Sequence, residues 1–333
     1  MKKSLKIFAL AASLLQAALF SAFAANPPSD FKYELTKDNK AVKITGVRND
    51  KAEYVIPASI EDFPVTEIEF LDVYGKSDNR LSKSCTISLP EGIEIAYIKA
   101  KENVTITLSQ LPSTLKNLMI VADYYGCVKY DGTFPDKIES INFYLESIGG
   151  LKLKQSLQDF AELQNLKKLN LSNVDFIGVP NKAPFKKADM ESLKLSNVNL
   201  IGNKTIYIPS DNSSIDGTNV EEIIFEEGVT KIQKSFSNNK NLKKIVLPST
   251  LKSVDFPYKD CGKFVNCPNL TEVVVPDSLK NVKVPRIDES YVSIISGYMN
   301  YSYRDARIED VFDTTSFSLK SRIKLQAAFG FSQ

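Results

Sequence analysis

The sequence predicts an α/β solenoid, a curved array of short strands stacked turn on turn with a parallel β-sheet on its concave face. Three observations carry that reading. First, an apolar-x-apolar triplet recurs along the 333 residues, beginning at Ile68, Ile87, Ile106, Leu118, Ile141, Leu169, Leu193, Ile223, Ile245 and Val273. The steps are 19, 19, 12, 23, 28, 24, 30, 22 and 28 residues. Second, in the clearest copies, NLKKIVLPSTLKSV (241–254) and NLTEVVVPDSLKNV (269–282), a proline follows the triplet, then a leucine, then a valine three further on. Third, the chain is 43% hydrophobic and 25% charged, an ordinary foldable balance. Alternation over three residues makes a short strand with two side chains turned inward. Proline cannot donate to a ladder, so it ends the strand and starts a turn. One such unit cannot bury its own apolar face, and stacking supplies the core.

The elements follow in chain order. Residues 1–25 read as a secretory signal peptide: Lys2, Lys3 and Lys6, an apolar stretch from Ile7 to Phe20, then Ala22-Phe23-Ala24 as a cleavage signal. Removing it takes the formal charge from +2 to about −1, since it carries three lysines and no acid. No later stretch is apolar and long enough for a transmembrane segment after signal cleavage. In residues 26–50, two alternating runs, 33–36 and 41–45, flank Lys37-Asp38-Asn39-Lys40, the pattern of an N-terminal capping hairpin. Residues 51–284 form the array. Within it, 155–166 (QSLQDFAELQNL) reads as one convex helix, and Ile206-Tyr207-Ile208 marks an extra short turn inside the 30-residue step. Residues 285–333 form a C-terminal cap: a tyrosine-rich segment, then a helix over 314–331. Thr315 or Ser316 would cap that helix, with Leu319, Ile323 and Ala327 on one face.

Composition excludes whole classes of chemistry. There is no histidine and no tryptophan, which removes Ser-His-Asp and Cys-His catalysis and every histidine-ligated metal site. Near-zero net charge argues against nucleic acid as a partner. No phosphate loop, dinucleotide fingerprint, metal-ligand cluster or nucleophile elbow occurs, so no cofactor and no catalytic residue is expected. Of the four cysteines, Cys261 and Cys267 are close enough in sequence to close a small disulfide loop; the alternative is that each is a small buried apolar residue.

Candidate contact residues come from the same alternation. The central residue of each triplet points away from the core. In the last three triplets these residues are Ile224, Val246 and Val274, and on consecutive strands they would form an apolar stripe with about 4.8 Å between neighbours. This stripe is either a ligand-binding surface or a set of good strand formers, solvated or covered by residues 286–303. The residues before these triplets, Glu222, Lys244 and Glu272, alternate in sign and would form a cross-strand ion ladder. Tyr291, Tyr298, Tyr301 and Tyr303 would either contact sugars or protein, or cover the last repeat.

VTEIEF (65–70), NLKKIVLPSTLKSV and KFVNCPNLTEVVVPDSLKNV (263–282) together resemble the BspA-like, Treponema-type leucine-rich repeat family. That family repeats N/C-x-x-L-x-x-I-x-I/L-P-x-x-L-x-x-I, often after A-F-x-x-C. Phe264-Val265-Asn266-Cys267 matches this lead-in and implies a core position for Cys267. The stretch 33–68 is similar to the opening of such arrays. The likeness is strong over 33–70 and 220–285 and irregular over 85–215. The resemblance implies a non-enzymatic bacterial protein, secreted or exposed on the cell envelope, that binds protein ligands: host extracellular matrix or another bacterial surface protein. Two other readings stand beside adhesion: an exported polysaccharide-acting enzyme on a parallel β-solenoid, and a structural envelope component.

Overall fold

The computed structural model describes residues 24–71, 79–147, 150–255, 263–284, 286–288, 291–292, 299–300, 303–312, 317 and 319–331. The expected signal segment, residues 1–25, lies almost wholly outside them.

Short strands and tight corners build a stack of parallel sheets. The largest is ten-stranded. It starts at the hairpin, where Phe31–Leu35 runs antiparallel to Val42–Val47. It then continues in parallel through Phe63–Phe70, Ile95–Ala100, Asn117–Ala122, Ser140–Leu145, Lys168–Ser172, Ser192–Ser196 and Ser214–Asp216. A second parallel sheet of six strands runs from Glu53–Val55 to Val174–Phe176. A third holds four: Thr205–Ile208, Glu222–Phe225, Lys244–Val246 and Glu272–Val274. Lys231–Ile232 and Ser253–Val254 form a short fourth ladder, extended by a bridge from Ser253 to Lys283.

The solenoid class therefore holds, with one revision: the triplets do not share one sheet. Those at Ile68, Leu118, Ile141, Leu169 and Leu193 lie in the first sheet, those at Ile87 and Ile106 in the second, and the last three in the third. Along the first sheet the true rank is Phe70, Ile98, Ile120, Phe143, Leu171, Leu195, Ile215, with steps of 28, 22, 23, 28, 24 and 20 residues. The first step of 19 and the step of 12 cross between sheets, whereas the second step of 19, from Ile87 to Ile106, joins neighbouring strands of the second sheet.

Burial alternates strictly along strands such as Ile95–Ala100 and Asn117–Ala122, and the inward residues merge into one continuous core. The corners after the last three first-sheet strands, and the corners stacked beyond them, need left-handed backbone. Asn173, Asn197, Gly217, Asn238 and Asn266 supply it, with φ between 51° and 60°. Asparagine tolerates this region because its short side chain bonds locally. The corners also bond to one another: the Asn173, Asn197, Gly217 and Asn238 amides donate to the carbonyls of Ser196, Asp216, Ser237 and Val265.

Two helical expectations change. The stretch 155–166 forms only a 3-10 segment, Leu157–Glu162, whose Phe160 packs between Phe134 (5.1 Å between centroids) and Phe176 (6.1 Å). The C-terminal helix is Leu319–Phe329, and its buried residues are Ser321, Leu325, Ala328 and Phe329. The expected face is the outward one: Leu319 is 74% exposed, Ile323 56%, and Ala327 is exposed too. The helix is turned by its docking, in which the Val282 amide donates to the Ala328 carbonyl and Lys324 pairs with Asp277 at 2.8 Å. Thr315 and Ser316 lie outside the described residues. A phenylalanine column ties this end to the array: Phe236 stacks on Phe264 at 5.6 Å, and Phe264 on Phe312 at 5.1 Å with nearly parallel rings.

Candidate functional site

The third sheet brings the candidate contact residues together. Its register aligns Glu222 with Lys244 and Glu272, and Ile224 with Val246 and Val274. The inward neighbours Ile223, Ile245 and Val273 are buried, so Ile224, Val246 and Val274 face outward and are half-buried. One member was not read from the sequence as part of this rank. Thr205–Ile208 pairs with Glu222–Phe225 and sets Tyr207 beside Ile224. The outward rank is therefore Tyr207, Ile224, Val246, Val274. The available signal was Ile206-Tyr207-Ile208 itself, which follows the triplet pattern but sits 17 residues before Ile223 rather than a full repeat. At the tyrosine end, Lys186 Nζ lies 4.8 Å from the ring centroid and also pairs with Glu226 at 3.5 Å.

A ladder of charge borders the rank. Lys244 Nζ is 3.1 Å from Glu222 Oε1, and Thr205 Oγ1 donates to Glu222 Oε2 at 3.2 Å. The hydrogen bond to Glu222, then its charge, hold Lys244 above its ordinary pKa, and the charge of Glu272 adds to the effect. One position earlier, Lys243 pairs with Glu221 at 2.8 Å. These groups are exposed or half-exposed, so each pair contributes at most about 1 kcal/mol. Their sign order nevertheless fixes which strand lies beside which. A lysine between two glutamates does not suit a carboxylate pair that must share a proton, because cation and anion each favour the ionised form of the other.

The other candidate residues are placed as follows. Tyr291 pairs with Asn300, and Tyr303 with Asp288, in two short antiparallel ribbons. Tyr298 and Tyr301 lie outside the described residues. So does Cys261. Cys267 is buried in the core, where its Sγ approaches the Phe236 carbonyl at 3.6 Å. Among the described residues, no group of three or more Cys, Asp or Glu side chains forms a metal site, and no helix is long and apolar enough to cross a membrane.

Comparison with known proteins bears on the repeat itself. Among curated proteins none matches the chain. Several solved structures are similar to it at low identity. A leucine rich cell surface protein from Faecalibacterium prausnitzii shares 11% identity over 79% of this chain and 83% of that one, with a TM-score of 0.30. A leucine-rich repeat protein from Bacteroides ovatus shares 16% over 89% and 99%, with a TM-score of 0.29. The pneumococcal vaccine antigen PcpA shares 16% over 93% and 97%, with a TM-score of 0.30. The family pattern described as a BspA type leucine rich repeat region matches residues 160–285 in six copies. That span contains the whole third sheet, and over residues 160–285 the chain matches the BspA type leucine rich repeat.

Proposed function

We propose that this is an exported bacterial repeat protein without enzymatic activity, secreted or exposed at the cell envelope, that binds a protein ligand through the outer face of its third sheet. The observation that carries the reading is the rank Tyr207, Ile224, Val246, Val274. Four apolar or aromatic side chains stand side by side on a rigid sheet, half-buried, with an ordered charge ladder along one edge. On the first sheet the corresponding outward rank holds Tyr97 and Met119 and is then polar: Asn142, Asn170, Lys194 and Ser214 follow in register. An aromatic and aliphatic centre with a charged rim is the composition of protein interfaces. Strands also orient contact residues more rigidly than loops do. The absence of histidine from the sequence agrees with a surface chosen for contact rather than proton transfer.

Binding to a panel of purified extracellular-matrix proteins, measured by biolayer interferometry, tests the reading. We expect binding to at least one of them, and at least tenfold weaker binding by Val246→Asp, with the melting curve of the variant unchanged. Equal affinity of wild type and variant would sink the assignment of the face. Catalytic turnover of polysaccharide by the chain would sink the non-enzymatic reading.

A further inference from the structure

On the flank where strands enter the first sheet, charge alternates from turn to turn: Glu94, Lys116, Glu139, Lys167, Glu191. Each of the last four amides donates to the carbonyl of the residue before it in that series, so these are true neighbours, and Lys116 pairs with Glu94 at 2.8 Å. The same flank continues past Thr230 onto the short fourth ladder, where Lys252 donates to Thr230 and Lys283 to Lys252. There the alternation stops. Lys231, Lys252, Lys280 and Lys283 line one open cleft of about 650 Å³, and Asp255 is the single acid among the described residues that line it. All four lysines are exposed, and none makes an ion pair with a described residue. Like charges so close repel and cost stability, in a chain that elsewhere pairs lysine with glutamate rung by rung. The cost is offset when an external polyanion occupies the cleft.

We propose that this cleft binds a densely sulfated linear polysaccharide. The inference is independent of the protein-binding face, which lies on a different sheet. Three features select this ligand class. Among the described residues the lining holds no aromatic residue and no arginine, and these residues therefore offer neither the anchors of protein hot spots nor the stacking platforms of single-stranded nucleic acid. Lysine supplies compact point charges that accept an anionic oxygen from any direction. Lys231 and Lys283 stand two rungs apart on the ladder, about 10 Å. Four cations over that span call for more than one anionic group per sugar, which sulfation provides and a singly carboxylated chain does not.

Isothermal titration of the full chain with heparin tests the assignment, alongside alginate as a carboxylated chain and poly-glutamate and duplex DNA as other polyanions. The expected result is preferential heparin binding, weakened at least tenfold in Lys252→Ala/Lys283→Ala. A control, Lys40→Ala/Lys129→Ala, changes two lysines outside the cleft and should bind as wild type. The salt dependence of heparin binding should also become shallower in the cleft variant, because fewer counterions are released. The variants alter exposed side chains, and a denaturation midpoint no lower than that of wild type separates loss of binding from loss of fold. No binding to heparin, equal weakening in the control, or tighter binding to alginate, poly-glutamate or DNA than to heparin would overturn the proposal.

Discussion

Asn239 offers the sharpest test of how this stack is held together. It sits at the corner after the left-handed Asn238 and has no exposed surface. Its Nδ2 donates to the Ile215 carbonyl at 2.8 Å and to the Phe236 carbonyl at 2.7 Å, while its Oδ1 accepts from the Thr218 amide at 2.9 Å. One side chain thus satisfies three buried backbone groups on two successive turns. In Asn239→Ala, the Thr218 amide and the Ile215 carbonyl lose these partners, and the Phe236 carbonyl keeps only a weak contact with Cys267. At about 1–3 kcal/mol for each orphaned group, partly relieved by local shifts, the expected loss is about 3–5 kcal/mol. The exposed Asn269, whose Nδ2 donates to the Lys240 carbonyl at 2.6 Å, is the comparison; its alanine variant should lose less than about 1 kcal/mol. Urea denaturation followed by circular dichroism gives both numbers. Amide exchange shows whether the loss is concentrated over 214–246, as nearest-neighbour coupling in a repeat array requires. Asn239→Asp adds a sign. A buried carboxylate facing two carbonyl oxygens is disfavoured as the anion, so its pKa rises in the folded state. A raised acid favours the fold at low pH, so the deficit of this variant should narrow as pH falls from 7 to 5. An Asn239→Ala loss below about 1 kcal/mol, or a deficit that widens on acidification of Asn239→Asp, would refute the reasoning.

Two further outcomes follow from the packing and the charge. Phe264 is fully buried, with its ring against Phe225, Phe236 and Phe312. Phe264→Ala should cost about 3–5 kcal/mol and make 286–331 the first segment cut in limited proteolysis; an unchanged cleavage pattern would show that the column does not couple cap to array. With no histidine in the sequence, stability should be level within about 0.5 kcal/mol between pH 5.5 and 7.5. It should then fall in acid. Asp30 is held below its ordinary pKa first by its hydrogen bond from Lys51, Asp189 by those from Lys167 and Lys187, Glu221 by that from Lys243, and Glu227 by the Ser249 amide and hydroxyl. A depressed carboxylate contributes stability that is present above its unfolded value, 3.8 for aspartate and 4.5 for glutamate, and is lost as pH drops through the folded one. A denaturation midpoint that moves within the neutral window would contradict this.

Much of the fold was legible because alternation is local. Ile141-Asn142-Phe143 must present two side chains to one side whichever sheet receives them. That indifference is also why sheet membership was not legible. Nothing within Ile87-Ser88-Leu89 distinguishes it from Ile68-Glu69-Phe70, and the choice is made by how many residues each corner consumes. Ala96-Tyr97-Ile98 was overlooked as a rung because alanine is a weak apolar signal, although Ala96 is fully buried. The C-terminal helix has apolar residues on two faces, and the contact between Ala328 and Val282 chooses between them. Local pattern does not contain that contact. The corners did leave a trace: Leu171-Ser172-Asn173 and Leu195-Ser196-Asn197 repeat one phrase, and the asparagine in each adopts the left-handed conformation. Aligning those two asparagines gives the pairing of Lys168–Ser172 with Ser192–Ser196.

The exposed charges of such an array carry little functional meaning one at a time, because most serve register. Glu94, Lys116, Glu139, Lys167 and Glu191 form one alternating series, and Lys204, Glu221 and Lys243 form another, joined amide to carbonyl. Swapping neighbours in either series sets like charges on adjacent rungs, so the order opposes slippage of one turn past the next. Departures from the two default patterns, alternating charge at strand starts and polar residues on outward ranks, are therefore where selection for something other than folding shows. Tyr97 and Met119 form a short departure on the first sheet; the two longest are the apolar rank from Tyr207 to Val274 and the lysine cleft from Lys231 to Lys283. Both lie beyond residue 204, in the most regular part of the array. Regular turns hold successive outward residues at a fixed spacing, which a surface must have if it is to match a ligand that is itself extended. The turns between 85 and 200 keep the same spacing on the first sheet, but there the outward rank is polar from Asn142 to Lys194. Binding is thus expected to concentrate in the C-terminal half, and the earlier turns to act chiefly as the support that fixes it.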